Sequence, residues 1–250
     1  MNLSAEKLDL ILGCSAFRGL AEEEVRHAVS LSWLKSQKDG AFFFMEGEQA
    51  DKAYVLIDGK VKLAQVTPDG QQVILGYLVP GRVFGIIAIL KKISYPVSAQ
   101  AVGDCQALGW DQKTLRELMD RYPRIALNAL NIMAGQIRLF QDQVQELSTQ
   151  RVEQRIARAV LRLASQAGKK VEGGIIIDLP LSRQDLAEMT GTTLYTVSRI
   201  LKDWENRGVV QSKRQQIMIR DPHGLVMIGE ELPPGEMQTI PSEYEDLCDL

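Results

Sequence analysis

The sequence of 250 residues contains few of the side chains on which metal sites, disulfide frameworks and many active sites depend. It has two histidines, His27 and His223, and three widely separated cysteines, Cys14, Cys105 and Cys248. Cysteines so scattered exclude a disulfide framework and a short-spaced metal site. A glycine-rich phosphate-binding loop is also absent, and no pattern of serine, histidine and aspartate suggests a hydrolase. We therefore predict that this protein is not an enzyme and has no metal site.

The sequence also lacks any uninterrupted apolar run that approaches the roughly 20 residues of a membrane span. Its N-terminus does not have the basic and then apolar pattern of a secretory signal. The apolar fraction of 45% and the charged fraction of 24% are ordinary for a globular protein, and the length is sufficient for two domains. These features predict a cytoplasmic protein without a membrane partner.

Positive charge is concentrated in one part of the chain, although the net charge of the whole is -3. Residues 151–220 carry 13 Lys and Arg against 7 Asp and Glu, a net charge of +6. Residues 1–150 sum to -1, and residues 221–250, which contain no Lys or Arg, sum to -8. A local excess of cations favours salt-dependent binding to phosphates, so nucleic acid is the expected partner of residues 151–220.

Two short helices joined by a tight turn are predicted over residues 181–208, LSRQDLAEMTGTTLYTVSRILKDWENRG. Ser182 and Asp185 have the spacing of a capping box at the start of the first helix. Gly191 lies at the turn, and Thr193, or Thr192 before it, can cap the second helix. Apolar residues at three- and four-residue spacing predict the buried face of that helix, namely Val197, Ile200, Leu201 and Trp204. This is the helix-turn-helix plan, whose second helix enters the DNA major groove.

The remaining face of the second helix carries hydroxyls and cations: Thr192, Thr193, Tyr195, Thr196, Ser198, Arg199 and Lys202. Arginine can bond bidentately to guanine, and hydroxyls can bond phosphates or bases. A hairpin is predicted just beyond Gly208, with Lys213 and Arg214 at its turn, where they can reach a phosphate. We predict that these elements form a winged helix-turn-helix that binds double-stranded DNA.

The first 110 residues show a different pattern. Two short helical patterns are followed by short β-rich runs, punctuated by glycines every 7 to 12 positions, over residues 38–85. This spacing predicts an antiparallel roll with strands of about five residues, continued by residues 97–110. The predicted fold class is α+β, with a jelly-roll-like β-roll, a long helix and a winged helix-turn-helix.

Apolar residues at alternating four- and three-residue spacing form a heptad seam: Ala126, Leu130, Met133, Ile137, Phe140, Val144 and Leu147. A stripe this narrow needs a partner, which is either the chain's own roll or a second copy, and we predict a parallel homodimer. Two-fold symmetry would place two recognition helices on a pseudo-palindromic site, about one helical turn apart. We assign residues 1–114 to a sensory roll, 115–150 to a long dimerisation helix, 151–228 to the DNA-binding domain and 229–250 to an acidic, mobile tail.

This order of elements, together with the strings RIARAVLRLA, LSRQDLAEMTGTT, TVSRIL and IRDPHGL, resembles the Crp/Fnr family of transcriptional regulators over residues 15–228. The resemblance implies a homodimeric regulator that senses an effector through its roll and acts with RNA polymerase. It places Arg183 and Gln184 near phosphates, and it makes Ser198 and Arg199 the base-reading pair. Tyr195 stands where many members have a glutamate, so the preferred half-site is expected to differ.

The resemblance also identifies an effector pocket in which two family contacts are missing. Members that bind cyclic nucleotides have a glutamate and an arginine where this sequence has Ile86 and Val97. A buried phosphate without its arginine loses a bidentate charged partner, and Phe140 is expected to approach the same place. The pocket residues implied by the resemblance are Gly85, Ile86, Ile87, Val97, Ser98 and Phe140. We therefore do not expect cyclic AMP to bind in the usual way.

Other effectors and functions remain open. Residues 95–102, YPVSAQAV, resemble nitric-oxide-sensing members, and an apolar pocket with His27 as axial ligand would suit haem. An iron-sulfur cluster is not expected, because Cys14 is the only cysteine near the N-terminus. A roll that needs no ligand is a further alternative. So is a ligand-binding module that regulates a protein partner rather than DNA.

Overall fold

The computed structural model describes residues 4–89 and 93–230, and its chain divides into two compact units, Met1–Gln141 and Asp142–Leu250. The N-terminal unit contains an antiparallel roll with flanking helices, and the C-terminal unit contains a winged helix-turn-helix. The predicted α+β fold class is therefore confirmed. Within the described residues, none of the helices is both long and apolar enough to cross a membrane.

Two short helices begin the N-terminal unit, where the sequence predicts them. They are α1, Ala5–Leu12, and α2, Glu22–Ser30. Ser4 caps α1, because its hydroxyl accepts a hydrogen bond from the Lys7 amide at 3.4 Å. The apolar faces of both helices are buried in a core cluster.

Among residues 4–89 and 93–111, six antiparallel strands form the roll: β1 Trp33–Gln37, β2 Phe42–Phe44, β3 Lys52–Val66, β4 Gln72–Leu78, β5 Val83–Phe84 and β6 Ser98–Asp111. The main path of the sheet runs β1-β6-β3-β4, while β2 pairs with β6 and β5 pairs with β3. The longest strands, β3 and β6, pair with each other from Lys52 opposite Asp111 to Ala64 opposite Ser98.

The strands β3 and β6 have 15 and 14 residues, so the prediction of strands of about five residues is wrong for both. Gly59, which the pattern treats as a turn, lies within β3 at φ +81°. A Cβ at this position would lie 2.5 Å from the Asp104 carbonyl oxygen. The register against β6 shifts on both sides of Asp58, so the glycine bends the strand without ending it.

One core cluster of the N-terminal unit joins the helices to one side of the roll. Its largest members include Phe17 and Trp110, whose rings meet edge to face with centroids 6.0 Å apart. The Trp110 Nε1 donates to the Ala28 carbonyl of α2 at 2.8 Å, which satisfies its buried N–H. This arrangement fastens α2 to the end of β6.

Residues 115–150 contain the end of one helix and all of a second, longer helix of 27 residues, which carries the predicted seam. Helix α3 spans Gln112–Arg121, and α4 spans Pro123–Thr149. Tyr122 between them is not helical, since a proline disfavours helical geometry in the residue before it. Pro123 itself begins α4, where its missing N–H costs no hydrogen bond.

In the described part of the C-terminal unit, eight further elements follow the end of α4. They are α5 Val152–Ala167, β7 Gly168–Val171, β8 Gly174–Ile177, α6 Arg183–Thr190, α7 Leu194–Asn206, β9 Val210–Lys213, β10 Gln216–Ile219 and α8 Pro222–Glu230. The strands form one antiparallel sheet in the order β7-β8-β10-β9. Strand β7 and helix α8 were not predicted. The tail predicted from residue 229 begins with two residues of α8, and its other residues, 231–250, lie outside the described residues.

Candidate nucleic-acid interface

The start of α6 is fixed by the capping box that the sequence predicts. The Ser182 hydroxyl accepts from the Asp185 amide at 3.0 Å, and the Asp185 carboxylate accepts from the Ser182 amide at 2.8 Å. Both interactions satisfy backbone donors that a helix start leaves without partners. Arg183 and Gln184 follow at once and are exposed on the first turn.

Gly191 makes the turn between α6 and α7. Its φ of +61° is in the left-handed region, and a Cβ there would lie 3.2 Å from the Leu147 Cδ2 of α4. Both facts favour glycine at this position. Thr193 then caps α7, accepting from the Thr196 amide at 3.2 Å, so the choice between Thr192 and Thr193 resolves to Thr193.

Helix α7 has one buried apolar face and one exposed polar face, as the sequence predicts. Val197, Leu201 and Trp204 are fully buried, and Ile200 is nearly so. The Trp204 Nε1 donates to the Glu153 carboxylate of α5 at 2.9 Å, so this buried ring also has its polar partner. The opposite face is therefore held outward by a packed core.

The wing is β9, β10 and the turn between them, and Ser212 ties it to both helices of the motif. Its hydroxyl donates to the Glu205 carboxylate of α7 at 2.5 Å and accepts from the Arg183 guanidinium of α6 at 3.2 Å. The bond from Ser212 lowers the pKa of Glu205. The stabilisation from this contact is thus present at neutral pH and is lost as the pH falls through the lowered pKa.

The residues predicted to bind DNA lie together on the surface formed by α6, the turn and α7. Arg183, Gln184, Thr193, Tyr195, Arg199 and Lys202 are exposed, and Thr192, Thr196 and Ser198 are half-buried. Tyr195 exposes 78% of its surface, which leaves the phenol ring open to a partner. Lys213 and Arg214 extend the cationic surface to the wing. An exposed helix with this chemistry can contact base edges while the flanking cations contact phosphates.

Gln184 and Lys202 each also have a carboxylate partner within the chain. The Gln184 amide donates to the Glu188 carboxylate at 2.9 Å, and the Lys202 ammonium lies 3.5 Å from the Glu205 carboxylate. Both contacts are exposed or at the surface, where such pairs contribute little to stability. They therefore leave Gln184 and Lys202 able to exchange partners.

Helix α4 exposes most of the predicted seam. Exposed fractions are 60% for Leu130, 57% for Ile137, 42% for Phe140, 63% for Val144 and 53% for Leu147, whereas Ala126 and Met133 are half-buried. The N-terminal half of α4 packs on its own unit through other residues. Ile125 and Ala129 are buried, and the Asn128 amide donates to the carbonyls of Ala16 and Arg18 at 2.9 and 3.0 Å.

Ion pairs join the last turns of α4 to α5 within the C-terminal unit. Glu146 is 6% exposed, and its carboxylate accepts from the Arg162 guanidinium at 2.5 Å, with Arg158 at 3.8 Å. Arg158 also bonds the Glu230 carboxylate of α8 at 2.7 Å. A buried carboxylate with two cationic partners keeps its charge compensated, and removal of one partner would be costly.

A second core cluster fills the interior of the roll with aromatic rings that the sequence analysis did not single out: Phe43, Phe44, Tyr54, Phe84 and Tyr95. The rings of Phe44 and Tyr95 stack with centroids 3.8 Å apart. The Tyr95 hydroxyl donates to the Lys52 carbonyl at 2.6 Å and accepts from the Lys52 amide at 3.0 Å. Burial raises the pKa of Tyr95 to about 12, so the donated proton is retained at neutral pH.

The predicted effector residues have the following neighbours among the described residues. Ile86 lines a cavity of about 30 Å³ beside Phe17 and Trp110, whereas Ile87 and Val97 pack against the aromatic cluster. The Ser98 hydroxyl accepts from the Glu46 amide at 2.9 Å, and Phe140 is exposed on α4.

Gly85 has a structural role that explains its residue type. Its φ is +69°, and a Cβ would lie 2.8 Å from the Lys52 carbonyl oxygen. Only glycine combines this backbone conformation with so close a neighbour. Gly85 thus allows Tyr95 and Lys52 to approach each other across the end of the roll.

His27, the axial ligand in the haem hypothesis, has a partner within the chain. The His27 Nδ1 lies 3.2 Å from the Tyr122 hydroxyl, and the two rings meet edge to face. The cavity beside Ile86 does not include His27, and its 30 Å³ can hold about one water molecule rather than a porphyrin. Within the described residues, no group of three or more His, Cys, Asp or Glu is placed to hold a metal ion.

Comparisons with known proteins match both units. Residues 154–228 match a family model described as a Crp-like helix-turn-helix domain, and residues 34–122 match one described as a cyclic nucleotide-binding domain. The chain is 30% identical over 209 residues to the cyclic AMP receptor protein of Thermus thermophilus, covering 84% of this chain and 94% of that protein. It is 28% identical over 186 residues to a CRP-like cAMP-activated global transcriptional regulator of Mycobacterium tuberculosis, covering 74% of this chain and 83% of that protein. Among solved structures, FixK2 from Bradyrhizobium japonicum has a TM-score of 0.70 and 25% identity, covering 79% of this chain and 96% of that chain.

Proposed function

Because this chain belongs to the Crp/Fnr family of DNA-binding transcriptional regulators, and is thus a regulator rather than an enzyme, we propose that it binds pseudo-palindromic double-stranded DNA as a homodimer and acts with RNA polymerase. The observation that carries this proposal is the exposed polar face of α7, held outward by the packed Val197, Leu201 and Trp204. The rival proposal is a module that regulates a protein partner. It does not explain the exposed polar face of α7 or the net charge of +6 over residues 151–220.

The proposed roles follow from side-chain chemistry and position. Arg199 reads guanine, because its planar fork can donate twice to the O6 and N7 acceptors in the major groove. Ser198 beside it contributes a hydroxyl to the same base step or to a phosphate. Arg183 and Gln184 bind phosphates from the start of α6, where backbone N–H groups also favour an anion.

Tyr195 is the proposed source of a distinct half-site. A glutamate at this position would accept a hydrogen bond from cytosine N4, whereas a phenol offers one hydroxyl and an aromatic edge. Its 78% exposure leaves the ring free to contact a base or a thymine methyl. We propose that the preferred base pair opposite Tyr195 differs from that of members with a glutamate.

The seam on α4 supports the dimer. Five apolar side chains of one stripe are each at least 42% exposed in the single chain. Other side chains of α4, including Ile125 and Ala129, pack within the N-terminal unit. The exposed stripe is therefore available to pack against a second copy of the chain.

We also propose that the roll does not bind cyclic AMP in the usual way, although two relatives are named for that ligand. Ile86 and Val97 offer neither a carboxylate for a ribose hydroxyl nor a guanidinium for a cyclic phosphate. The stacked rings of Phe44 and Tyr95 further fill the interior against which Val97 packs. The effector, if one is needed, therefore has a different chemistry.

DNA binding by the full chain tests the proposed function. Fluorescence anisotropy with duplexes selected from a random pool should show binding at low salt, with a logarithmic affinity that falls linearly as log salt rises. A Lys213→Ala variant should bind all sequences more weakly and reduce the salt slope by about 1. Complete lack of binding at about 50 mM salt would contradict the proposal.

Cyclic AMP should not stabilise this protein against heat. A ligand at 100 times its Kd raises the free energy of unfolding by about 2.7 kcal/mol, which a melting curve detects easily. We expect an unchanged Tm in millimolar cyclic AMP, with the cyclic AMP receptor protein of Thermus thermophilus as the positive control. A clear rise in Tm would overturn our interpretation of Ile86 and Val97.

A further inference from the structure

A groove of about 450 Å³ lies between the start of α6, the start of α7 and the wing. Leu194 is 48% exposed and gives the groove an apolar patch, whereas Leu201 and Ile217, which also line it, are almost fully buried. The groove therefore suits a ligand that brings apolar side chains of its own.

The same groove has a cationic rim. Arg183 lines it from α6, and Lys213 and Arg214 line it from the wing turn. All three residues are exposed. A matching ligand must therefore combine carboxylates or phosphates with apolar groups, spaced closely enough to meet the rim and the inner surface together.

Residues 231–250 of this chain have that composition. They contain six Asp and Glu and no Lys or Arg. In residues 242–250, SEYEDLCDL, four acidic residues alternate with Tyr244, Leu247 and Leu250. This interleaving of carboxylates and large apolar side chains is complementary to the groove in both respects.

The position of α8 gives the segment access to the groove. Helix α8 belongs to the same compact unit and ends at Glu230, whose carboxylate is held by Arg158 at 2.7 Å. Twenty further residues can extend up to about 66 Å, whereas a unit of this size has a radius of gyration of about 13 Å. A tether of this length gives residues 231–250 an effective concentration in the millimolar range relative to the groove.

We infer that residues 231–250 occupy this groove and compete with DNA for Arg183, Lys213 and Arg214. The inference rests on the proposed DNA-binding function. Exposed ion pairs are individually weak and are screened by salt, so the contact is reversible and DNA can displace it. The segment thereby raises the DNA concentration at which the regulator becomes occupied.

Three full-length proteins test the inference by DNA anisotropy at low salt. The first is unchanged, the second has all six acidic residues of 231–250 changed to amides, and the third carries Tyr244→Ser and Leu247→Ser. Groove binding with an intrinsic Kd of about 0.1 mM predicts about tenfold tighter DNA binding for both variants. If only the amide variant binds more tightly, general repulsion of DNA replaces groove binding as the explanation, and the inference fails.

A crosslink from Cys248 locates the segment directly. Cys14 and Cys105 are buried, so a photoreactive maleimide should label Cys248 selectively. Mass spectrometry should then find crosslinks to peptides that contain Leu194 or Lys213, and an excess of DNA should abolish them. Crosslinks that avoid this groove would overturn the inference. If no protein in the series binds DNA, the proposed function fails instead, whereas equal DNA binding by all three removes only the inference about the segment.

Discussion

Replacing Ile137 with glutamate should convert the protein from a dimer to a monomer at micromolar concentration. Ile137 lies in the middle of the seam and is 57% exposed in the single chain. In the proposed parallel dimer, two-fold symmetry places the new carboxylate close to its own symmetry copy. Burying two like charges without partners costs several kcal/mol, which exceeds what loss of one apolar contact would cause.

Sedimentation velocity measures this outcome, since a monomer has a mass of 27.9 kDa and a dimer has twice that mass. Gln136→Glu is the matched control, because it adds the same charge one residue away, at an exposed position off the seam. Because Ile137 is exposed in the single chain, the Ile137→Glu substitution should change the Tm of the folded monomer little. A dimeric Ile137→Glu protein would show that the seam does not join two copies.

DNA affinity should fall together with dimerisation. Two linked recognition helices bind a two-part site with an effective local concentration that a monomer does not have. Ile137→Glu should therefore lose much more affinity for a full pseudo-palindrome than for a single half-site. Equal losses on both duplexes would indicate damage to the DNA-binding unit itself.

Replacing Arg199 with alanine should lower specific DNA affinity by about 1 to 3 kcal/mol at each half-site and relax sequence preference there. Arg199 is exposed on α7, so truncation removes no core contact. The expected loss comes from the bidentate bond to guanine, which alanine cannot make. Competition among duplexes with single base changes, at one fixed salt concentration, measures both quantities.

Arg199→Lys provides the control that separates charge from geometry. Lysine keeps the positive charge but lacks the planar fork, so it should restore non-specific binding without restoring the preference for guanine. If Arg199→Ala weakens all sequences equally, Arg199 binds a phosphate and another side chain reads the base. Tyr195 would then be the first candidate.

The helix-turn-helix could be predicted from the sequence because its signals are local. Ser182 and Asp185 are three residues apart, and the Gly191 turn and the Thr193 cap lie within the next eight positions. Cap, turn and apolar spacing all act between residues that are neighbours in the chain. Helix α4 shows the same principle, since its heptad spacing is intact over the whole seam.

The interior of the roll could not be predicted in this way. Phe44, Phe84 and Tyr95 come from separate parts of the chain and meet only when β2 pairs with β6 and β5 pairs with β3. The lengths of β3 and β6 were also missed, because a glycine inside a bent strand has the same local pattern as a turn.

The contact between Leu147 and the turn at Gly191 has a consequence for the length of the DNA site. Leu147 and Val144 belong to the seam, yet they lie in the same compact unit as α7. In the proposed dimer, Leu147 is thus both one of the residues that pair two copies at this end and a neighbour of the turn in the motif that reads the bases. A change of side-chain size at Leu147 should therefore alter the spacing between half-site centres in the proposed dimer and leave the preferred bases unchanged.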